Sequence, residues 1–362
     1  MAFSRYCQPT WKTTVLCFTV GLLTSCATAT DTRPEGAATN AASPVATTKA
    51  PKVVATTSVI CDLTKRIAEA TIQLTCIGNP GQDPHVYQPT PGDRKAIEEA
   101  DLVLYGGYDF EPNLIKVVQA TSSQAPKVAV HEQAVTQPLM GVHDHGHGDH
   151  SDHDHDHDHS HDHDHGDKAK ADQAEEKVAD PHVWHDARNG MKMAETIATS
   201  LKKVAPTEAE TYDRNAQKLK QELQQLDAWI RSQIATIPAN QRKLITTHDA
   251  LGYFSEAYGI PVEGALQGIS TNEKPTAARI KELVEQIRTT QVPTIFAEQT
   301  VNPKLIETVA REANVSVSQR RLFADGLGEP GSGAETYDKM LIANTRTIVE
   351  GLGGTYTPFQ PK

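Results

Sequence analysis

The sequence predicts an α/β protein of two lobes, each a mostly parallel sheet flanked by helices, joined by one long rigid backbone helix. Three observations predict it. Short runs rich in valine, isoleucine and leucine alternate with helical patterns, as parallel sheets covered on both faces require. Midway, Leu219, Leu223, Leu226, Ile230 and Ile234 recur on one helical stripe, with no glycine or proline from 207 to 237. The segments before and after that stripe repeat one style of strand, turn and helix. At 362 residues, one large domain or two ordinary ones are expected. A formal charge of −11 argues against nucleic acid and against a polybasic membrane surface.

Residues 1–25 read as a lipoprotein signal peptide. Arg5 and Lys12 flank a polar start, and Thr13 to Leu23 is apolar over eleven residues, too short to span a bilayer. Leu23-Thr24-Ser25-Cys26 resembles the bacterial lipobox, which makes Cys26 the lipidated residue. Residues 26–51, rich in Ala, Thr, Ser and Pro, lack the material for a core and read as a flexible tether. Cys61 and Cys76 then remain in the mature chain. In an oxidising compartment they could pair across a short loop or stay buried and free, and the sequence leaves both open.

The N-terminal lobe is assigned to 52–205. Val53 to Val59 has a buried-strand pattern, and Leu63, Ile67 and Ala70 mark the helix after it. Leu74 to Ile77 is a second strand. Thr90-Pro91-Gly92-Asp93 opens a helix with a cap residue and proline at the first helical position. Leu102 to Tyr105 and Val128 to Val130 complete the strands of this lobe. Residues 141–179 are assigned as a disordered His/Asp-rich loop, and Met193, Ile197 and Leu201 recur at helical spacing after it. The linking helix is assigned to 206–237, about eight turns. The C-terminal lobe, 238–362, begins with a strand from Lys243 to Thr247 that ends on His248. Ile280, Leu283, Val284 and Ile287 mark a helix, and Pro293 to Ala297 a strand. Asn302-Pro303 caps a helix carrying Leu305, Ile306 and Val309. Val315 and Val317 suggest a last strand leading to Asp325, and Met340, Leu341, Ile348 and Val349 a closing helix.

Asp83-Pro84-His85-Val86 recurs 97 positions later as Asp180-Pro181-His182-Val183. A polar turn that presents a histidine twice suggests two arms reaching for one metal ion, since neutral imidazole is the commonest ligand of divalent metals. His85, His182, His248 and Asp325 each sit in a turn or at the end of an expected strand. Ligands in open α/β sheets bind beyond the carboxyl ends of strands, so the four can converge in one crevice. Three imidazoles and one carboxylate suit Zn²⁺. The conspicuous tract before the second turn carries His143, His145, His147, His150, His153, His155, His157, His159, His161, His163 and His165, largely alternating with aspartate. It cannot bury a core and suits several weak, exchanging metal sites, an auxiliary zinc collector or sensor. Gly326-Leu-Gly-Glu-Pro-Gly331 matches a dinucleotide fingerprint but lacks its strand, turn and helix setting. No Walker sequence is present, so any ATP hydrolysis belongs to a separate subunit.

From about Val53 to Leu352 the chain resembles the metal receptors among the solute-binding proteins of ABC importers, the ZnuA/TroA-like family. Pro80 to His85 followed by Gln88-Pro89-Thr90-Pro91 resembles the first ligand turn of the family. Asp180 to Trp184 resembles the second, Thr247 to Phe254 the third, and Phe323 to Gly328 the fourth; Gly268-Ile269-Ser270 and Ala297-Glu298 also fit. The resemblance implies zinc or manganese held between the lobes, a membrane permease with a separate ATPase subunit as partner, a monomer, and a periplasmic or otherwise extracytoplasmic site on a lipid anchor. Manganese receptors of the family resemble one another in carrying glutamate at the third position, where this chain has His248; an added imidazole favours zinc. His185 departs from the family, where an apolar residue is usual; three residues after His182, it is a candidate for a supporting role around the ligands, as is Glu298, or for a ligand in place of His182. Two alternatives stand beside a zinc receptor: a manganese receptor of the same family, and a secreted zinc hydrolase, for which Glu298 is the nearest general base. No reaction is expected, because four protein ligands close the sphere that a catalytic zinc keeps open.

Overall fold

The first lobe grows from a strand whose alternate side chains serve two cores. In the computed structural model, which describes residues 49–143 and 176–361, β1 (Lys52–Ala55) turns Val53 and Ala55 to one core and Val54 to another. This is what a parallel sheet covered on both faces demands. Thr57 then caps α1 (Ser58–Ala68), its side chain accepting the Ile60 N–H. β2 (Gln73–Cys76) leads through a long turn to α2 (Pro91–Glu98), where Thr90 and Asp93 form a capping box around Pro91. β3 (Leu102–Tyr105), α3 (Pro112–Ala120), β4 (Lys127–Ala129) and α4 (Val130–Ala134) follow. All pairings are parallel, in the order β2-β1-β3-β4.

The stretch 141–179, assigned above as one loop, begins and ends in strand. β5 (Met140–His143) and β6 (Glu176–Ala179) pair antiparallel, from Met140 opposite Ala179 to His143 opposite Glu176. Gly141 makes this possible: a Cβ there would collide with the Ile269 side chain. After a 3-10 turn at Val183–His185 come α5 (Ala187–Val204) and α6 (Ala209–Ile234). The linking helix is therefore 26 residues long, about seven turns. It starts after a separate 3-10 turn at Pro206–Glu208, because Pro206 sets that turn before the helix proper. All five residues of its expected apolar stripe are buried.

The second lobe repeats the first topology. β7 (Leu244–His248), α7 (Gly252–Tyr258), β8 (Val262–Gln267), α8 (Ala277–Thr290), β9 (Thr294–Ile295), α9 (Lys304–Ala313) and β10 (Ser316–Val317) follow in turn. β7 pairs with β8 and β9 with β10, all parallel, and the Phe296 N–H, just past β9, bonds the Ile245 carbonyl of β7 to link the two pairs. Ile245, Leu266, Leu283, Val284, Ile306 and Val309 form a core of their own. The last helix, α10 (Tyr337–Gly351), does not join it. Its Met340, Leu341, Ile348 and Val349 pack with α1, α5 and α6 in the larger core, because its apolar face meets theirs. Among the described residues, no helix is long and apolar enough to cross a membrane.

Glu111, at the head of α3, is fully enclosed. Its Oε1 accepts from the Thr56 hydroxyl and the Gly106 N–H, while Oε2 is buried without a partner. Burial pushes its carboxyl from 4.5 up to about 7, so the native state keeps a proton that the unfolded chain has already lost. Stability must then fall as pH rises from 4.5 to 7. Glu111→Gln preserves the Oε1 acceptor and removes the ionisation. Urea unfolding of the metal-free variant is expected to match wild type at pH 4.5 and to exceed it at pH 8, by about 3 kcal/mol at most.

Candidate metal centre

Four buried side chains from four separate turns meet at one point. His85 lies in the turn after β2, His182 opens the 3-10 turn after β6, His248 closes β7, and Asp325 lies in the loop after β10. One donor atom from each lies within 4.8 Å of all the others. The repeated tetrapeptides fold alike. The Asp83 carboxylate accepts the His85 N–H at 3.0 Å, and that of Asp180 accepts the His182 N–H at 2.9 Å. Each aspartate thus turns the chain two residues on and points its histidine inward.

Carboxylates also fix the rings. Asp180 Oδ1 lies 2.8 Å from His182 Nδ1. Glu298 accepts the Thr247 and His248 N–H groups through Oε1 and bonds His248 Nδ1 through Oε2. With Nδ1 occupied, each ring presents Nε2 to the centre, the arrangement that orients metal-binding imidazoles. Asp325 Oδ1 lies 3.4 Å from His85 Nε2, 3.5 Å from His182 Nε2 and 3.1 Å from His248 Nε2. The last two nitrogens are 3.4 Å apart. Neither His85 Nε2 nor Asp325 Oδ1 has a hydrogen-bond partner, although both are buried. A tetrahedral ion bound at about 2.0–2.1 Å holds its donors about 3.3 Å apart, close to the spacing of Asp325 Oδ1 from each imidazole and of His182 Nε2 from His248 Nε2.

The charges around the centre oppose one another. Burial alone would lower both His182 and His248. The Asp180 and Asp325 carboxylates outweigh it at His182, and Glu298 with Asp325 outweighs it more strongly at His248. Both rings therefore hold a proton more tightly than a free imidazole does. At His85 burial prevails over the neighbouring Asp325, and the ring is neutral. Asp325 is drawn well below the carboxylate range: burial would raise it, but the His248 charge and the surrounding imidazoles prevail. Phe110 and Trp184 floor the site, with Phe110 edge-on to His85 and His182 at 5.1 and 5.6 Å between ring centres. A cleft of about 800 Å³ opens beside His85, lined by Tyr108, Asp109, Pro181, Ile269 and Lys274 among others.

His185 is outside the donor cluster. Its Nε2 bonds the Ala324 carbonyl at 2.8 Å, and burial lowers it to about 3. Cys61 and Cys76 form a disulfide between α1 and β2. Of the tract, His143 is the last residue of β5, while His145 to His165 lie outside the described residues, as does Cys26. Sequence reasoning passed over Asp180 and Asp83, although their repetition before each histidine was a usable signal. It also passed over Thr300, which donates to Asp325 Oδ2 at 2.7 Å, and Thr271, which donates to Asp83 Oδ2 at 2.7 Å from the opposite lobe. No local motif marks either.

Residues 53–351 match the family model described as zinc-uptake complex component A, periplasmic. The manganese-binding lipoprotein MntA of Bacillus subtilis is 32% identical over 305 residues, 83% of this chain and 89% of that protein. The zinc-binding protein TroA of Treponema pallidum is likewise 32% identical, over 306 residues, with the same shares covered. The solved structure of the periplasmic zinc-binding protein TroA from Treponema pallidum superimposes with a TM-score of 0.70 at 32% identity, covering 84% of this chain and 99% of that one.

Glu298→Gln keeps the Oε1 acceptor for both backbone N–H groups but turns an amide donor toward His248 Nδ1. Affinity for a divalent cation, measured by chelator competition, is expected to drop 10–100-fold with the fold intact.

Proposed function

This chain belongs to the periplasmic zinc-uptake component A family, the metal-binding receptors of ABC importers, and we propose that its cargo is zinc(II), held by His85, His182, His248 and Asp325. It is an extracytoplasmic receptor and not an enzyme. One observation carries the choice of metal. Three Nε2 atoms and one carboxylate oxygen stand 3.1–3.5 Å apart in the pairs that include Asp325 Oδ1, the spacing of a small tetrahedral ion. Manganese prefers more donors and harder ones, so an imidazole at His248 works against it. The relatives named for manganese and for zinc are equally similar in sequence, which places the weight on the donors themselves.

The same reading assigns Cys26 to a lipid anchor, and a membrane permease with a separate ATPase to the receiving end. The protein acts as a monomer. The His/Asp tract gathers zinc weakly and leaves the buried quartet to hold it. Metal-stripped full-length protein and a form lacking residues 144–175 would be offered zinc and manganese together. The shortened form is expected to retain one zinc and no manganese, and the full-length form further zinc ions that a mild chelator removes. Retention of manganese by the shortened form would overturn the choice of metal.

Zinc must displace the protons of His182 and His248, both raised in the metal-free protein, whereas His85 is already neutral. Calorimetry in buffers of different ionisation enthalpy is expected to show proton release on zinc binding, and affinity should weaken as pH falls.

A further inference from the structure

The geometry points to Thr300 as the residue that restricts Asp325 to a single metal-binding oxygen and thereby sets the preference for zinc over manganese; this rests on the zinc-receptor reading. Thr300 lies between β9 and α9, and its hydroxyl donates to Asp325 Oδ2 at 2.7 Å. Only Oδ1 then faces the three imidazoles, and it has no hydrogen bond of its own. The two oxygens of one carboxylate are thus divided, one to the protein and one to the ion.

The carboxylate cannot escape this division by shifting its backbone. His185 Nε2 holds the Ala324 carbonyl at 2.8 Å, the residue just before Asp325. On the other side, the Leu327 N–H donates to Ser58 Oγ at 3.0 Å and the Leu327 carbonyl accepts the Gly81 N–H at 3.0 Å. Gly326 lies so close to α1 that a Cβ there would stand 2.5 Å from Ser58 Oγ. The loop is pinned at both ends, and Thr300 fixes the remaining freedom, rotation about the side chain.

Denticity matters because the two metals differ in how many donors they require. Zinc is satisfied by four, whereas manganese favours an octahedral, oxygen-rich shell. A bidentate Asp325 would provide a fifth donor and a second hard oxygen. With Oδ2 held by Thr300, three imidazoles and one oxygen remain, a set that leaves manganese short of ligands. Thr300 makes no contact with the ion, so it acts as a positioning residue.

Thr300→Val keeps the side-chain shape and removes the donor, leaving Oδ2 buried beside the ion; Thr300→Ser keeps the donor. Zinc and manganese dissociation constants of metal-stripped wild type and both variants would be measured by competition with a chelator. X-ray absorption of each bound metal would report the number of oxygen neighbours. Thr300→Val is expected to reduce the zinc-over-manganese ratio about tenfold, with an added oxygen neighbour, while Thr300→Ser stays near wild type in both readouts. An unchanged ratio in Thr300→Val, or an equal shift in Thr300→Ser, would overturn the assignment. Should wild type itself prefer manganese, the choice of cargo fails. The role of Thr300 is still judged by the difference between the two variants.

Discussion

A carboxylate oxygen without a hydrogen bond, closed in by three imidazoles, is the constraint from which the rest of the structure follows. Asp325 is fully buried, and an unpaired charge in such a place costs several kcal/mol. The protein offsets that cost electrostatically, with two rings held as cations by Asp180, Glu298 and Asp325 itself. Protons and a divalent cation thus compete for the same buried imidazoles.

Such a centre needs a frame that does not yield to it. Both lobes pair their strands in parallel, and donors follow the carboxyl ends of β2 and β7. The division of labour does not follow the chain. Asp325 belongs to the second half by sequence, yet its loop is bonded to Ser58, Gly81 and His185 of the first half. α10 likewise packs into the larger core with α1 and α6. His248 instead ends β7, and Glu298, which follows β9, bonds its ring. The Asp325 loop is tied to this side as well, through the Thr300 hydroxyl and through backbone bonds of Leu322 with Ala297 and Gln299. The hydrogen bond from Thr271 to Asp83 is a further link across the cleft.

Much of this was legible in the sequence where the signal was local or periodic. The Thr90 cap and the stripe on α6 follow from capping chemistry and side-chain period, and the structure has them where those rules place them. The strand expected over Val53 to Val59 stops at Ala55, because Thr57 caps α1 and takes Ser58 and Val59 into the helix. The repeated Asp-Pro-His marked two turns whose hydrogen bonds turn out to be the same. What escaped was nonlocal or hidden by composition. β5 and β6 flank a tract so polar that their own four residues each carry no visible period. The partner of α10 is decided by which apolar face meets which, and no sequence window contains both. Thr300 and Thr271 are ordinary hydroxyls whose importance exists only through a carboxylate far along the chain.

The frame is shared with proteins named for different metals at the same level of identity, so the fold itself cannot be what discriminates. Discrimination must reside in the few atoms that touch the ion or hold those that do. Replacing a carboxylate by the His248 imidazole changes both donor softness and the charge of the empty site, since Glu298 then has a cation to hold. The His/Asp tract can vary without disturbing any of this. Its ends are tied by the pairing of His143 with Glu176, and the entropy of closing a longer loop grows only slowly with length.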